Sequence, residues 1–127
     1  MNEQAVNTPY FDIWLEDGII YEVFKPDTEI TLPLAKEVVS IRMKLAGNKI
    51  HPIFVDIRNL IYADSASRKY WASAEGTQLL KAGAFLVNHP LNKFLFDIFL
   101  LLNHPIIPTK PFCSKEKAIN WLQQYKS

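Results

Sequence analysis

The side chains with chemical potential are few: Ser65, Asp56, the histidines His51, His89 and His104, and the single cysteine Cys113. A serine hydrolase would need Ser65 within about 3 Å of an imidazole. His51 and Asp56 belong to "IHPIFVDI" (50–57), a β-branched run of strand length, and Ser65 lies beyond its far end. At about 3.3 Å per strand residue, His51 and Ser65 end up more than ~10 Å apart. His89 follows the neighbouring strand at the same sheet edge, which leaves it as the one imidazole with a route to Ser65. No Gly-x-Ser-x-Gly elbow accompanies the serine. No catalytic residue is therefore assigned, and hydrolysis ranks last among the readings.

Metal and phosphate chemistry find less support. His89 and His104 flank a helix of about 12 residues, which separates them by roughly 18 Å. Zinc–nitrogen bonds of ~2 Å exclude a shared ion at that separation. No histidine pair sits at i, i+4. The four glycines, at 18, 47, 76 and 83, build neither a Gly-x-Gly-x-x-Gly turn nor a Walker loop. No metal and no cofactor is expected.

The composition bounds the partners. Basic and acidic side chains number 14 and 13, a net charge of +1, which is no electrostatic footprint for nucleic acid or an anionic membrane. One cysteine forms no internal disulfide, and a reducing, cytoplasmic setting follows. The start, "MNEQAVNTPYFD", lacks a basic segment followed by an apolar run, so no secretory signal is read. The greasiest run, "FLFDIFLLL" (94–102), carries Asp97 and is far shorter than the ~20 residues that span a bilayer.

The elements that position these residues are legible in outline. Residues 1–9 read as a disordered tail and 10–127 as one domain of ordinary globular composition. Asp17-Gly18, between two alternating apolar runs, is a hairpin signal, because a type I′ turn needs positive φ at both central positions. Phe11, Ile13 and Leu15 share one face of the first strand. "EITLPLAKEVVSIRMKLAG" (29–47) reads as a helix capped by Thr31 and stopped by Gly47, with Leu34, Val38, Ile41 and Leu45 on one face. Strand 50–57, apolar on both faces, suits the centre of a sheet.

A loop over 58–63 is expected next, then a helix from Asp64 or Ser65 to about Ala74. A buried strand over 81–87 precedes a helix over 88–103 with Pro90 in its first turn. An edge strand lies within 106–114, placed at the rim by Pro108 and Pro111. Ser114 caps a last helix with Ala118, Ile119, Trp121, Leu122 and Tyr125 as its apolar stripe. The order is ββαβαβαβα: an α/β fold with a mixed, mainly parallel sheet of about five strands and four helices.

The helix 91–102 stands apart. Leu91, Leu95, Ile98 and Leu102 are read as its sheet-facing stripe, while Phe96, Phe99 and Leu100 fall elsewhere around it. It is thus apolar over more than one face. Phe96, Phe99, Leu100 and Ile106 mark either an apolar ligand groove or a dimer surface, unless the loop 104–108 folds over them.

The stretch "VDIRNLIYADSASRKYW" (55–71) resembles the STAS domain family, the fold of SpoIIAA-like anti-sigma-factor antagonists. Members end a central strand in Asp and start the next helix with Asp-Ser; here these are Asp56 and Asp64-Ser65. The element order matches from about residue 10 to 125. The resemblance implies that Ser65 aligns with the residue phosphorylated by partner kinases, with Asp56, Asp64 and Arg68 around it. The sequence departs at Ala66, where a second Ser or Thr is usual, and at Ser67, where Gly is common. It is closer to the divergent STAS/SEC14-like proteins, for which the resemblance implies an apolar ligand.

Two non-catalytic readings follow. One is a signalling or interaction domain, a homodimer or the partner of an unidentified regulatory protein, with Ser65 at the contact. The other is a carrier or sensor of a small apolar ligand. On physical grounds, Asp64 is a good N-cap and Ser65 an ordinary first-turn residue.

Overall fold

The computed structural model describes residues 5–88 and 91–126, with the backbone alone for residues 91 and 95. His89 and Pro90, and the side chains of Leu91 and Leu95, lie outside the described residues.

The alternating pattern at the N-terminus forms a hairpin, as its sequence requires. β1 (Val6–Asn7) pairs antiparallel with β2 (Phe11–Glu16), and β2 pairs antiparallel with β3 (Ile19–Phe24). Val6 and Asn7 fall in the segment expected to be a disordered tail. Thr8 holds them in place: its hydroxyl accepts from the Tyr10 and Phe11 N–H groups, and its carbonyl receives Lys25 Nζ. Asp17 and Gly18 take φ of 50° and 77°, the type I′ geometry.

The chain then leaves the sheet for β4 (Thr28–Ile30) and α1 (Leu32–Ala46). Gly47, at φ 61°, ends the helix in the left-handed conformation. β5 (His51–Asp56) returns to the sheet, followed by β6 (Leu60–Ala63), α2 (Ser65–Ala72), β7 (Leu80–Leu86), α3 (Leu91–Asn103), β8 (Thr109–Phe112) and α4 (Lys115–Gln123).

The main sheet has six strands, in the order β1-β2-β3-β5-β7-β8, and β3, β5, β7 and β8 run parallel. β5 is central and β8 is an edge, as the apolar run and the prolines foretold. The segment 58–63, expected as a loop, is corrected: Leu60–Ala63 is a strand, paired in parallel with β4 in a separate two-stranded ribbon. Its two exposed apolar residues, Ile61 and Tyr62, hide the alternation that would have marked it.

Helices α1, α2 and α3 cover one face of the sheet, and α4 alone covers the other. On the three-helix face, Phe11, Ile13, Ile20, Phe24, Ile53 and Val55 meet Ala35, Val38, Ala72, Phe96 and Phe99. On the α4 face, Ile19, Phe54, Ala82, Ala84 and Leu86 meet Ala118 and Leu122. Trp121 stands between Phe112 and Tyr125, with ring centroids at 5.7 and 5.0 Å.

Two helix faces are rotated from expectation. In α1 the buried positions are Ala35, Val38, Val39, Arg42 and Ala46, with Leu34, Ile41 and Leu45 only half-buried. In α3, Phe96 and Phe99 point inward, whereas Leu102, assigned to the sheet-facing stripe, is 64% exposed. The reason is visible in the packing. Phe96 and Phe99 pack at a tilt against Phe85, with centroids 4.9 and 6.3 Å away, and aromatic rings bury more area than the leucines they displace.

Candidate functional site

The turn after β5 begins with a clamp. Asp56, buried at the strand end, accepts from the Arg58 backbone N–H at 3.1 Å and grips the Arg58 guanidinium at 3.0 and 2.8 Å. The hydrogen bond to Asp56, followed by their charge attraction, holds the Arg58 pKa above its ordinary value despite partial desolvation. The bidentate geometry fixes the chain as it turns towards β6.

At the start of α2, Asp64 is the N-cap, and its carboxylate accepts from the Ser67 N–H at 2.8 Å. Ser67 is fully buried. Its single hydroxyl proton is shared between the Asp64 carbonyl at 2.8 Å and the Ile30 carbonyl at 3.3 Å, and the Asp64 N–H also reaches Ile30 O at 3.0 Å. The Ser67 side chain therefore knits α2 to β4. Ser65, by contrast, is exposed on the first turn of α2.

Beside this turn lies a cavity of about 280 Å³. One wall comes from Ile57, Leu60, Ile61, Tyr62 and Ala63, along the turn and β6. Arg68 and Trp71 of α2 and Phe85 of β7 form the floor. Asn92, Phe96, Ile98 and Phe99 of α3 close the far side. Asn92 is fixed there: its amide donates to the Ile57 carbonyl at 3.3 Å and its oxygen accepts from the Asn88 N–H at 3.1 Å.

The residues singled out by sequence thus divide. Phe96, Phe99 and Arg68 meet at the cavity. Asp56 and Asp64 shape the turn that borders it. Leu100 is half-buried against the core and Ile106 is 65% exposed, and neither lines the cavity. His51 Nε2 lies 3.1 Å from the Ala46 carbonyl, at the opposite end of β5 from the Asp64-Ser65 turn. Among the described residues, no group of three His, Cys, Asp or Glu side chains could hold a metal ion.

Sequence reasoning missed the polar pair beneath the cavity. Glu22 of β3 and Arg42 of α1 are both buried, and with Thr77 they line a smaller void of about 40 Å³. Burial raises the Glu22 pKa from 4.5 to about 7, against the opposing pull of the Arg42 charge. Arg42 donates to the Gly76 and Gln78 carbonyls at 3.0 and 2.7 Å. The signal was present: Glu22 alternates with the inward Ile20 and Phe24, and Arg42 follows Val38 by four residues. Trp71, Phe85 and Phe99 are walls of both voids.

A parallel sheet extended by an antiparallel hairpin, three helices on one face and one on the other, defines a SpoIIAA-like, STAS-type fold. A crystallised uncharacterised protein of the DUF3478 family from Shewanella loihica PV-4, described as having a SpoIIAA-like fold, is similar at a TM-score of 0.62. The two share 14% identity over 92% of this chain and 98% of that one, a likeness that speaks to fold alone. The chain itself belongs to the family described as Domain of unknown function (DUF7793), whose model matches residues 13–126. No curated protein matches it.

Proposed function

We propose that this protein is a non-catalytic binding domain whose cavity between β6, α2 and α3 takes a small apolar ligand. The observation that carries the reading is the cavity itself, about 280 Å³ and walled chiefly by aromatic and aliphatic side chains. That is roughly twice the volume of an engineered apolar cavity that takes benzene. Native mass spectrometry of the protein purified from its source tests this. A small-molecule adduct that is lost from a Phe96→Trp variant is the expected outcome. Bare polypeptide under several growth conditions would count against it.

A second reading is favoured by a separate observation. Phe94, Leu101, Leu102 and Ile106 are each at least 60% exposed, a set of large apolar side chains on the outer side of α3 and the turn after it. They support an interaction role, with a second copy as the simplest partner. Ser65 regulation is the weaker form of that role. Asp64 beside it carries a like charge, Arg58 is clamped by Asp56, and Arg68 turns to the Ala63 carbonyl. No described helix is long and apolar enough to cross a membrane.

A further inference from the structure

Arg68 is the one charged side chain among the described residues lining the cavity. Its Nη1 donates to the Ala63 carbonyl, and its Nε is buried with no hydrogen-bond acceptor in reach among the described residues. The ion pairs among those residues are Lys25–Asp12, Arg58–Asp56, Lys93–Asp97 and Lys126–Asp17, and none includes Arg68. Asp64, one helical turn away, has its carboxylate engaged by the Ser67 N–H. An Nε this closed off does not itself reach a guest, but the guanidinium lines the cavity with no carboxylate among the described residues paired to it, and a charge-assisted bond from its remaining donors to an anion is about twice as strong as a neutral one.

The rest of the site limits the anion. Phe85, Phe96 and Phe99 offer only apolar surface and Trp71 mostly so, and the volume suits roughly a dozen non-hydrogen atoms by comparison with benzene in its cavity. A two-chain phospholipid is too large, and a free inorganic anion leaves the aromatic walls unfilled. We propose that the ligand is a small amphipathic monocarboxylic acid, with its hydrocarbon part among Phe96, Phe99 and Trp71 and its carboxylate on Arg68. This rests on the apolar-ligand reading and adds the charge of the head group.

Decanoic acid and decan-1-ol separate the two claims, because they share a chain and differ in charge at neutral pH. Isothermal titration calorimetry on the full chain is expected to show decanoate binding about 10- to 100-fold more tightly than the alcohol. Arg68→Met should erase that preference and leave the alcohol's affinity in place, while Arg68→Lys should retain part of it. Equal affinities in the unaltered protein would overturn the proposal and leave the apolar-ligand reading standing. Binding of neither compound would overturn both. The comparison in the unaltered protein needs no variant, so a substitution that unfolds the chain does not shield the proposal.

Discussion

The two faces of the sheet are built to different standards. The α4 face is sealed by one helix over Ile19, Phe54, Ala82, Ala84 and Leu86, and its buried carboxylate, Asp56 at the end of β5, is paired with Arg58. The opposite face has three helices, yet it contains two voids, the buried carboxyl of Glu22, the buried guanidinium of Arg42 and the buried hydroxyls of Ser67 and Thr77. More cover has produced looser packing. Interiors are normally close-packed, and each void forfeits contacts along its lining. The contrast separates two uses of a core: the α4 face fastens the sheet, and the three-helix face is shaped around a space.

The largest test of that division compares two phenylalanines. Phe54, 1% exposed on the sealed face, should cost on the order of 3–5 kcal/mol when changed to Ala. Phe96 is 3% exposed but borders the cavity, so one side of it lacks partners. Phe96→Ala should cost about 2–3 kcal/mol, at or below the ~3–5 kcal/mol usual for a buried Phe. Equal losses in urea unfolding would mean that the two faces are packed alike.

The next effect belongs to Glu22. Its folded pKa, about 7, lies above its ordinary 4.5, so the native state holds the proton more tightly than the unfolded chain. The stability linked to this group is full below pH 4.5 and is lost as pH rises through 7. The loss over that window is about 3 kcal/mol. Glu22→Gln should remove this fall and be the more stable form above pH 7, as measured by thermal unfolding across the pH range. A wild-type profile parallel to that of the variant would place the carboxyl in water.

The smallest effect compares two caps. Asp64 accepts from Ser67 N–H at 2.8 Å on the cavity face, whereas Ser114 accepts from Lys117 N–H at 3.3 Å on the sealed face. Asp64 also sets a negative charge at the positive end of α2. Asp64→Ala should cost about 1–2 kcal/mol and Ser114→Ala about 0.5–1 kcal/mol. Reversal of that order would move the weaker helix start to the cavity side.

What was legible in the sequence follows the same division. The hairpin at Asp17-Gly18, the central strand ending in Asp56, the stop at Gly47 and the stripe of α4 could all be read, because each has a local signal with one physical cause. The STAS-like order followed from those elements, and Asp64 was recognisable as a cap. The register of α3 was not legible. Lys93 and Asp97 mark one polar edge of a helix that is otherwise apolar nearly all round, too narrow a signal to choose Phe96 and Phe99 over Leu102; Phe85, on the preceding strand, makes that choice in the packing. β6 was hidden because it pairs with β4 and exposes Ile61 and Tyr62. Arg42 and Glu22 were passed over because charged residues are ordinarily read as outward, although both stand at inward positions of their elements.

The ribbon of β4 and β6 has a consequence in time as well as in space. Two strands alone are marginally stable, and this pair is not hydrogen-bonded into the main sheet. It is held at its ends instead: the Ile30 carbonyl receives the Asp64 N–H at one, and at the other the Thr28 hydroxyl donates to the Lys25 carbonyl and the Leu60 N–H to the Ile57 carbonyl. At that second end, between Thr28 and Glu29, the ladder shifts register. Local opening of this ribbon leaves all six strands of the sheet paired, so it costs less free energy than global unfolding. Under the proposed reading, a ligand in contact with both β6 and α3 holds the ribbon closed, so hydrogen exchange at Leu60–Ala63 should slow when the cavity is filled.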